Sequence, residues 1–458
     1  MKTAPAWANS RVGVLGLARS GRAATRLLLQ TGASVYASDT SDSEELRLQA
    51  ETLRSLGADI DLGRHDVDKL ERCDLIVASP GIPPGAAVLQ ALRGRRVVSE
   101  LELAYGFLDA PVIAITGTNG KTTTTAWIGA MLERAGARVG IGGNIGRALS
   151  EIAADVEVQY EWVVVEVSSF QLAYIDRFKP AIGVFLNLCP DHLDWHGGVQ
   201  QYYADKARLF VNGDRQSCWV LNGEDPEVER MADGRPGEMQ WFRVGSEPPA
   251  GTSGAGMVPD GRLVVHQADW TADLVNRAEL QLLGLHNVAN ALASSLAAIC
   301  AKAPLDAVRA GLREFQPLPH RLQPVSEKDE VLWINDSKAT NVASTRVALE
   351  SMNRPVVLLL GGRGKGESFA PLLPALRERA RAVVAYGETS RQAEAELGQH
   401  VRVVREDGTF EAVIGRAAHL AEPGDVVLLA PACASFDMFR DYEERGQRFM
   451  DLVRQEVA

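Results

Sequence analysis

The strongest chemical signal in the chain is the loop T-G-T-N-G-K-T-T at residues 116–123. It stands between an apolar, strand-like segment and a helical pattern over Thr122–Ala135. Backbone N–H groups in such a loop, at the start of a helix, bind phosphate oxygens. Lys121 would reach the β- and γ-phosphates of a nucleotide, and the Thr122 hydroxyl would ligate Mg²⁺. Because Ile115 replaces the first glycine of the full G-x-x-x-x-G-K-[ST] pattern, a chance Gly-Lys-Thr is the alternative, but the flanking elements favour nucleotide binding.

A second glycine-containing turn, Gly13-x-x-Gly16-x-x-x-x-Gly21, follows an apolar strand near the N-terminus, and Asp39 ends the next predicted strand. This spacing suits a phosphate at a helix N-terminus, with a ribose or base near Asp39. The turn is not a G-x-G-x-x-G fingerprint, so a purely structural role is the alternative. The interpretation of the protein as a nicotinamide-dependent dehydrogenase would depend on this motif alone.

Two side chains that could hold a metal ion follow other predicted strands. Glu166 lies near the end of the apolar segment Trp162–Val167, and His192 follows the segment Ile182–Asn187. Ligands of open α/β sheets bind at the carboxyl ends of the strands, so these side chains, near the phosphate loop, could hold Mg²⁺. The alternative for His192 is a hydrogen-bonded loop histidine. Lys206 lies on a predicted amphipathic helix, where the sequence alone indicates a solvated lysine.

Three polar loops in the last part of the chain each follow a short apolar strand. They read N-D-S-K-A-T-N at 335–341, G-G-R-G-K at 361–365 and P-A-C-A-S-F-D at 431–437. Because parallel strands end at one edge of a sheet, the three loops together predict a binding edge. For any one of them, a structural turn is the alternative.

The elements that position these loops alternate between strand and helix, which predicts α/β architecture with parallel sheets. The alternation restarts at Pro111 and again after Pro319, so we expect three domains, at 1–109, 110–317 and 318–458. Residues 232–262 are rich in Gly, Pro and Ser and predict a loop or hairpin. A final helix is expected over Asp437–Val453.

Composition excludes several classes of protein. With 46% hydrophobic and 23% charged residues, the 458-residue chain is globular rather than disordered. Its net charge of −11 gives no general attraction for nucleic acid or anionic membranes. The five cysteines form no C-x-x-C pair, and no targeting or membrane-spanning segment is recognisable. We therefore expect a soluble, cytoplasmic protein without nucleic-acid or membrane partners. A monomer is also expected, although no feature of the sequence indicates the oligomeric state.

Taken together, the loops resemble those of the Mur ligase family over nearly the whole chain. Further matching motifs are G-L-A-R-S-G, S-P-G-I, G-G-N-I-G at 142–146, E-V-S-S-F-Q-L at 166–172, D-H-L-D, L-H-N-V-A-N-A at 285–291 and P-H-R at 319–321. The phosphate loop is shared with folylpolyglutamate synthases and all Mur ligases. N-D-S-K-A-T-N and P-A-C-A-S-F-D resemble the glutamate-adding members in particular. One departure is Arg363, where some family members carry an acidic residue.

The resemblance implies a Rossmann-like N-terminal domain that binds a UDP-sugar, a central P-loop ATP-binding domain, and a Rossmann-like C-terminal domain that binds an amino acid. It implies that ATP and Mg²⁺ support the addition of D-glutamate to UDP-N-acetylmuramoyl-L-alanine through an acyl phosphate. Lys206 matches the family's carbamylated lysine, which would become an Mg²⁺ ligand.

The resemblance also implies which residues form each part of the site. The catalytic set is Lys121, Lys206, His192, Glu166 and His320, and the metal ligands are Thr122, Glu166, His192 and carbamylated Lys206. The ATP contacts are Gly117, Thr118, Asn119, Gly120, Lys121, Thr122, Thr123, Asn287, Asn290, Arg321, Asp336 and Lys338. The UDP-sugar contacts are Gly16, Arg19, Ser20, Asp39, Thr40, Ser79, Gly81, Asn144 and Ser168, and the glutamate contacts are Thr340, Lys365, Ser435 and Phe436.

Two other functions stay open besides the dehydrogenase. A folylpolyglutamate synthase-like ligase would use the same chemistry on another acceptor, but it would start close to its phosphate loop. A P-loop NTPase switch would hydrolyse ATP without an amine acceptor.

Overall fold

The computed structural model describes residues 10–249 and 251–456, which form three separate, mainly parallel β-sheets flanked by helices. The strands are continuous apolar runs, such as Val163–Val165 and Val356–Leu360, and these side chains are fully buried. Such runs are expected where helices cover both faces of a parallel sheet. The predicted α/β class with three sheet-containing domains is confirmed.

The first sheet has five parallel strands in the order β3-β2-β1-β4-β5. They are β1 (Arg11–Leu15), β2 (Ser34–Asp39), β3 (Asp59–Leu62), β4 (Leu75–Ala78) and β5 (Val97–Ser99). The helices of this region are α1 (Arg19–Gln30), α2 (Glu44–Ser55), α3 (Val67–Glu71), α4 (Ala87–Ala91) and α5 (Glu100–Tyr105). The strand order changes direction between β1 and β4, which is where open α/β sheets bind ligands.

The second sheet has nine strands in the order β14-β13-β12-β11-β10-β9-β6-β8-β7. They are β6 (Val112–Thr116), β7 (Val139–Gly143), β8 (Trp162–Glu166), β9 (Ile182–Phe185), β10 (Cys218–Asn222), β11 (Glu238–Arg243), β12 (Gly254–Met257), β13 (Arg262–His266) and β14 (Thr271–Asn276). The helices are α6 (Lys121–Arg134), α7 (Leu149–Ala153), α8 (Ser169–Leu172), α9 (Leu193–His196), α10 (Val199–Ala207), α11 (Pro226–Ala232), α12 (Leu285–Cys300) and α13 (Leu305–Glu314).

The structure corrects the prediction for residues 232–262. A hairpin is present, because β12 and β13 pair antiparallel, but β11 and β12 also extend the parallel sheet from β10. In β11 the side chains alternate between buried and partly exposed, and the segment is short and rich in polar residues. The turn-forming residues around β11 therefore led to the prediction of a loop. The segment becomes a strand because it pairs with β10.

The third sheet has six strands in the order β15-β16-β20-β17-β18-β19, all parallel except the edge strand β15. They are β15 (Gln323–Lys328), β16 (Val331–Asn335), β17 (Val356–Gly361), β18 (Ala380–Tyr386), β19 (Val403–Glu406) and β20 (Val426–Leu429). The helices are α14 (Val342–Glu350), α15 (Leu373–Arg379), α16 (Ser390–Leu397), α17 (Phe410–Leu420) and α18 (Tyr442–Glu456). The expected start of the last helix at Asp437 was wrong by about one turn, because Asp437 remains in the loop and its carboxylate accepts from the Glu388 N–H.

By its internal packing, the chain divides into two compact units. The first contains the chain up to residue 279 together with 289–313, and the second contains 280–288 and the chain from 314 onward. The first unit includes two of the three sheets, and the second includes the sheet of β15–β20. The domain limits predicted from the sequence stay a prediction. In the described part of the chain, no helix is both long and apolar enough to cross a membrane.

Candidate active site

The phosphate loop connects the buried strand β6 to helix α6. Gly117 and Gly120 have φ angles of +149° and +85°, which side-chain-bearing residues rarely adopt. A Cβ on Gly120 would also lie 2.4 Å from Oδ1 of Asn290, so the backbone approaches α12 closely there. The Nζ of Lys121 donates to the carbonyl oxygens of Gly117 and Thr118 at 2.9 and 2.7 Å. The loop therefore surrounds an ammonium group with its own carbonyls, at the N-terminus of a helix.

A residue that the sequence analysis did not single out, Asn187, holds the loop from the neighbouring strand. Its Oδ1 accepts from the Asn119 N–H at 2.9 Å, and its Nδ2 donates to the Asn119 carbonyl at 3.1 Å. Its own carbonyl accepts from the Thr118 N–H at 3.0 Å. The signal was a polar residue directly after the apolar run of β9, a common place for a ligand-supporting side chain in a parallel sheet.

The carboxylate of Glu166 lies buried beside the first turn of α6. Its Oε2 accepts from the Thr122 hydroxyl and its Oε1 from the Asn144 amide, both at 2.9 Å. These hard oxygen atoms are the donors that Mg²⁺ prefers. Within 10–249 and 251–456, no cluster of three His, Cys, Asp or Glu side chains could hold a metal by itself. Mg²⁺ in phosphoryl-transfer sites needs only one or two protein carboxylates, because phosphate and water complete its shell, so the donor set fits.

His192 is the N-cap residue of the short helix α9 and has a φ of 53°, in the left-handed region. Its Nε2 lies 3.6 Å from Oδ2 of the buried Asp191, and its ring packs against Phe170 with centroids 4.9 Å apart. The structure thus places a second carboxylate, Asp191, beside the predicted histidine. The D-H-L-D motif contains both residues, but the sequence did not indicate that Asp191 is buried.

The expectation of a solvated Lys206 was wrong. The side chain is 2% exposed, its Nζ donates to the Gly117 carbonyl at 2.8 Å, and it lies 5.0 Å from the ring centre of Tyr202. Burial, assisted by the charge of Lys121, lowers the pKa of Lys206 well below its usual value, while Asp191 and Glu166 oppose the shift. Helix periodicity could not reveal this burial, because it depends on α10 packing against the phosphate loop.

A cavity of about 490 Å³ lies at the switch point of the first sheet, a volume typical of small-molecule sites. All the predicted UDP-sugar contacts except Ser168 are among the residues that line it: Gly16, Arg19, Ser20, Asp39, Thr40, Ser79, Gly81 and Asn144. His65 and Ile82 also line this cavity, and the sequence analysis missed both.

Arg19 and Asn144 connect the cavity to the second sheet, which carries the phosphate loop. Arg19 donates through Nη2 to the carbonyls of Gly143 and Asn144 at 3.3 and 2.6 Å. The amide of Asn144 contacts the Glu166 carboxylate, so the cavity and the candidate metal ligand share a residue. Ser168 instead forms the N-cap of α8, where its Oγ accepts from the Gln171 N–H at 3.3 Å.

The Asp39 carboxylate is held in place by backbone amides. Oδ2 accepts from the Leu17 N–H at 2.6 Å and Oδ1 from the Ser41 N–H at 2.8 Å. These bonds fix the glycine turn against the end of β2. Asp39 therefore shapes the cavity wall as well as facing it.

In the second unit, β16 brings several predicted residues together. Nδ2 of Asn335 donates to Nδ1 of His320 at 2.9 Å, and the His320 carbonyl accepts from the Lys338 N–H at 3.2 Å. The Nζ of Lys338 contacts the Tyr442 hydroxyl at 3.0 Å. Burial, with a smaller effect of Lys338, lowers the pKa of His320. A neutral imidazole is therefore favoured at this position.

Asp336 is buried next to β16, and burial raises its pKa to about 6 against the opposing charge of Arg321. Its Oδ1 accepts from the Leu322 N–H at 3.3 Å. Burial, reinforced by Arg321, also lowers the pKa of His286 to about 4. Asn287 donates to the Leu283 carbonyl at 2.7 Å, also within the second unit. Asn290 belongs to the first unit, where Thr124 donates to its Oδ1 at 3.3 Å.

The predicted glutamate contacts lie on loops at the carboxyl edge of the third sheet. Ser435 is buried, Thr340 is partly buried, and Lys365 and Phe436 are exposed. Arg363, the departure from the family pattern, pairs with Glu388 at 3.0 Å.

Arg445 joins two of these loops, and the sequence analysis missed it. Its side chain is fully buried and donates to Oγ and the carbonyl of Ser337, at 2.9 and 2.8 Å, and to the Cys433 carbonyl at 3.2 Å. An arginine inside a C-terminal helical pattern gives no local sign that it is buried. Its role follows from the docking of α18 against the sheet edge.

Comparison with known families covers most of the chain. The description "Mur ligase MurD-like, N-terminal domain" matches residues 10–98, "Mur ligase middle domain" matches 115–298, and "Mur ligase, glutamate ligase domain" matches 320–433.

Individual proteins agree with this result. A UDP-N-acetylmuramoylalanine–D-glutamate ligase of Salinibacter ruber is 41% identical over 453 residues, covering 97% of each chain. The enzyme of the same description from Anaeromyxobacter dehalogenans is 42% identical over 468 residues, covering 99% of each. The solved structure of a pseudomurein peptide ligase type C from Methanothermus fervidus shares the fold, with a TM-score of 0.62 at 20% identity, over 98% of this chain and 100% of that one.

Proposed function

The chain belongs to the Mur ligase family and is an ATP-dependent ligase of peptidoglycan precursor synthesis, and we propose that it joins D-glutamate to UDP-N-acetylmuramoyl-L-alanine. The observation that supports this choice of substrates is the 41% identity, over 97% of both chains, to a ligase described by that reaction. The cytoplasmic location is part of this proposal, and its reducing conditions would keep the five cysteines as thiols.

The reaction needs an activated carboxylate, because a carboxylate is a poor electrophile at neutral pH. Transfer of the γ-phosphoryl group of ATP to the alanyl carboxylate gives an acyl phosphate and ADP. The amine of D-glutamate then attacks the acyl carbon, the new C–N bond forms, and inorganic phosphate leaves while the amine loses a proton. The protein contributes positioning and charge stabilisation to both steps.

The phosphate loop positions the nucleotide. The N-terminus of α6 would face the phosphates, and Lys121 would offset their charge. The Thr122 hydroxyl, the Glu166 carboxylate and His192 would hold Mg²⁺, which supplies neutralisation of the charge on the transferring phosphoryl group. The buried bond of 2.9 Å between Thr122 and Glu166 supports this assignment, because it keeps the carboxylate at the loop.

Lys206 is suited to carbamylation. A neutral amine can attack CO₂ to form an N-carboxylate with loss of one proton, and burial favours the neutral amine. The product would place a buried negative charge beside Lys121. We assign it to the metal site on that basis.

The remaining contacts divide between the other two sheets. The cavity of about 490 Å³ at the first sheet would take the uridine diphosphate, and Asn144 would lie between that ligand and Glu166. The loops with Thr340, Lys365, Ser435 and Phe436 would take D-glutamate. Asp336 and Lys338 would contact ATP, and His320 would lie near the reacting groups.

Phosphate release tests the proposal directly. The protein is supplied with ATP, Mg²⁺ and UDP-N-acetylmuramoyl-L-alanine, and with D-glutamate, L-glutamate or no amino acid. Release that needs both the nucleotide sugar and D-glutamate is the expected result. Dependence on L-glutamate would change the assigned stereochemistry. Phosphate release that depends on neither the nucleotide sugar nor glutamate would favour an NTPase switch instead.

A folylpolyglutamate synthase-like activity is the closest alternative. The complete five-stranded sheet before the phosphate loop, in the region that matches a MurD-like N-terminal domain, favours a UDP-sugar over a folate acceptor. A folate substrate in place of the nucleotide sugar provides the direct comparison.

A further inference from the structure

A buried hydrogen-bonded chain of Asp205, His196 and Ser169 lies next to the candidate metal site. Oδ2 of Asp205 is 2.7 Å from Nδ1 of His196, and Nε2 of His196 is 3.0 Å from Oγ of Ser169. The His196 side chain is fully buried. The ring of His196 is therefore held at both of its nitrogen atoms, which fixes its position and its rotation.

The three residues belong to the three segments that carry the proposed ligands. Asp205 directly precedes Lys206 on α10. Ser169 begins α8, three residues after Glu166. His196 ends α9, one helical turn after His192. One imidazole therefore joins segments that the chain itself separates by up to 36 residues, from 169 to 205.

The ring of His196 also packs against a residue that contacts the phosphate loop. It stacks on Phe170, with centroids 5.3 Å apart and an interplanar angle of 13°, and meets Tyr202 edge-on at 5.2 Å. The Tyr202 hydroxyl is 3.0 Å from Oγ1 of Thr118. Lys206 lies over the same Tyr202 ring. A rotation of His196 would thus be transmitted to the loop by direct packing.

We propose that His196, Asp205 and Ser169 are positioning residues. Through their hydrogen bonds they hold Glu166 and Lys206 at fixed positions relative to the phosphate loop. The proposal deepens the proposed function and rests on it. A well-packed apolar trio would fill the same space with comparable stability, since buried polar groups pay for desolvation. The specific contribution of the hydrogen bonds is therefore orientation, and small displacements of catalytic groups lower rates about a hundredfold.

The test compares Asp205→Asn and Ser169→Ala with the wild type. Asp205→Asn leaves one side-chain oxygen as acceptor, where the carboxylate offers one oxygen to His196 and the other to Nε2 of Gln201 at 2.9 Å. The amide NH₂ can face Nδ1 of His196 only if that nitrogen carries no proton, so the substitution selects the other tautomer of the ring. Ser295→Ala is the matched control, because it also removes a buried serine hydroxyl of the first unit, one that bonds to the Ala291 carbonyl at 2.8 Å.

Four quantities are measured, with kcat expressed per folded molecule and the folded fraction taken from thermal unfolding. We expect both variants to lower kcat roughly tenfold or more, with a KM for the nucleotide sugar within about threefold of the wild type. ADP affinity without Mg²⁺ should stay unchanged, whereas the gain in ADP affinity on adding Mg²⁺ should fall about tenfold. Ser295→Ala should change none of these quantities.

A loss of kcat that only follows the loss of folded protein, with an unchanged Mg²⁺-dependent gain in ADP affinity, would overturn the proposal and leave the trio structural. Unchanged kinetics in both variants would overturn it as well. If the wild type showed no glutamate-dependent turnover, the proposed substrates would fail, but the ADP titrations would still decide whether the trio positions the metal ligands.

Discussion

Lys121 and Lys206 donate to the same carbonyl oxygen, that of Gly117, with Nζ–O distances of 2.9 and 2.8 Å. The two amines approach it from different helices, α6 and α10, and only Lys206 is fully buried. Their mutual repulsion adds to burial in lowering the pKa of Lys206. The loop thus carries one lysine suited to bind phosphate and a second suited to react as a neutral amine.

Lys206→Ala should lower ligase activity about a hundredfold, because it removes the amine that would become a metal-binding carbamate. Added formate or acetate should restore part of the activity by supplying a carboxylate in the vacated space. Initial rates of phosphate release, with and without these ions, measure both effects. Lys179→Ala removes a partly exposed lysine paired with Asp214 and should leave the rate unchanged. Full activity of Lys206→Ala would exclude the carbamate from the mechanism.

Gly120→Ala should weaken ADP binding at least about tenfold. Its φ of +85° strains any side chain, and the new Cβ would lie 2.4 Å from the Asn290 amide oxygen. Gly136→Ala, at the other end of α6, is a matched control, because its φ of +87° carries the same strain but no atom lies within 4 Å. Calorimetric titration with ADP compares the two. Equal affinities would show that the close approach to α12 does not shape the phosphate loop.

Arg445→Met should lower the free energy of unfolding of the second unit by at least about 2 kcal/mol. The change removes the donor to the buried carbonyls of Ser337 and Cys433, and an unsatisfied buried acceptor costs about 1–3 kcal/mol. The control is Arg440→Met on the neighbouring loop. Arg440 is 83% exposed and pairs only loosely with Glu444, so its loss should change stability by less than about 0.5 kcal/mol. Urea unfolding measures both, and similar stabilities would contradict a structural role for Arg445.

The free energy of unfolding of the Asp336→Asn variant should rise relative to that of the wild type as the pH increases from 4.5 to 7.5. The folded state raises the pKa of Asp336 to about 6, so it binds a proton that the unfolded chain has already released. The stability contributed by Asp336 is therefore present below about pH 4 and lost as the pH rises through about 6, by roughly 3 kcal/mol.

Urea unfolding of the wild type and Asp336→Asn at both pH values measures this difference. The opposite sign is expected for His286→Gln, because the pKa of His286 is lowered to about 4 and its contribution is lost as the pH falls through that value. A difference between the wild type and Asp336→Asn that does not vary with pH would show that Asp336 ionises normally.

The sequence was most informative where the determinants are local. The loop from Thr116 to Thr123 was predicted almost to the residue, because an apolar strand, two glycines and a helix start occur consecutively. The predicted short apolar strands before two of the polar loops are also present, at Val331–Asn335 and Val426–Leu429. The strand β11 was missed, because its short polar sequence becomes a strand only through pairing with β10.

The sequence by itself determined the α/β class, the family and the order of the ligand-facing loops, because these follow from local propensity and from motifs of adjacent residues. The tertiary structure alone decided that Lys206 is buried, that Asn187 supports the phosphate loop, and that His196 bonds to Asp205 and Ser169. Burial and hydrogen bonding of these side chains depend on which faces of distant helices and strands meet. That information lies in the packing of the whole sheet rather than in any segment of the chain.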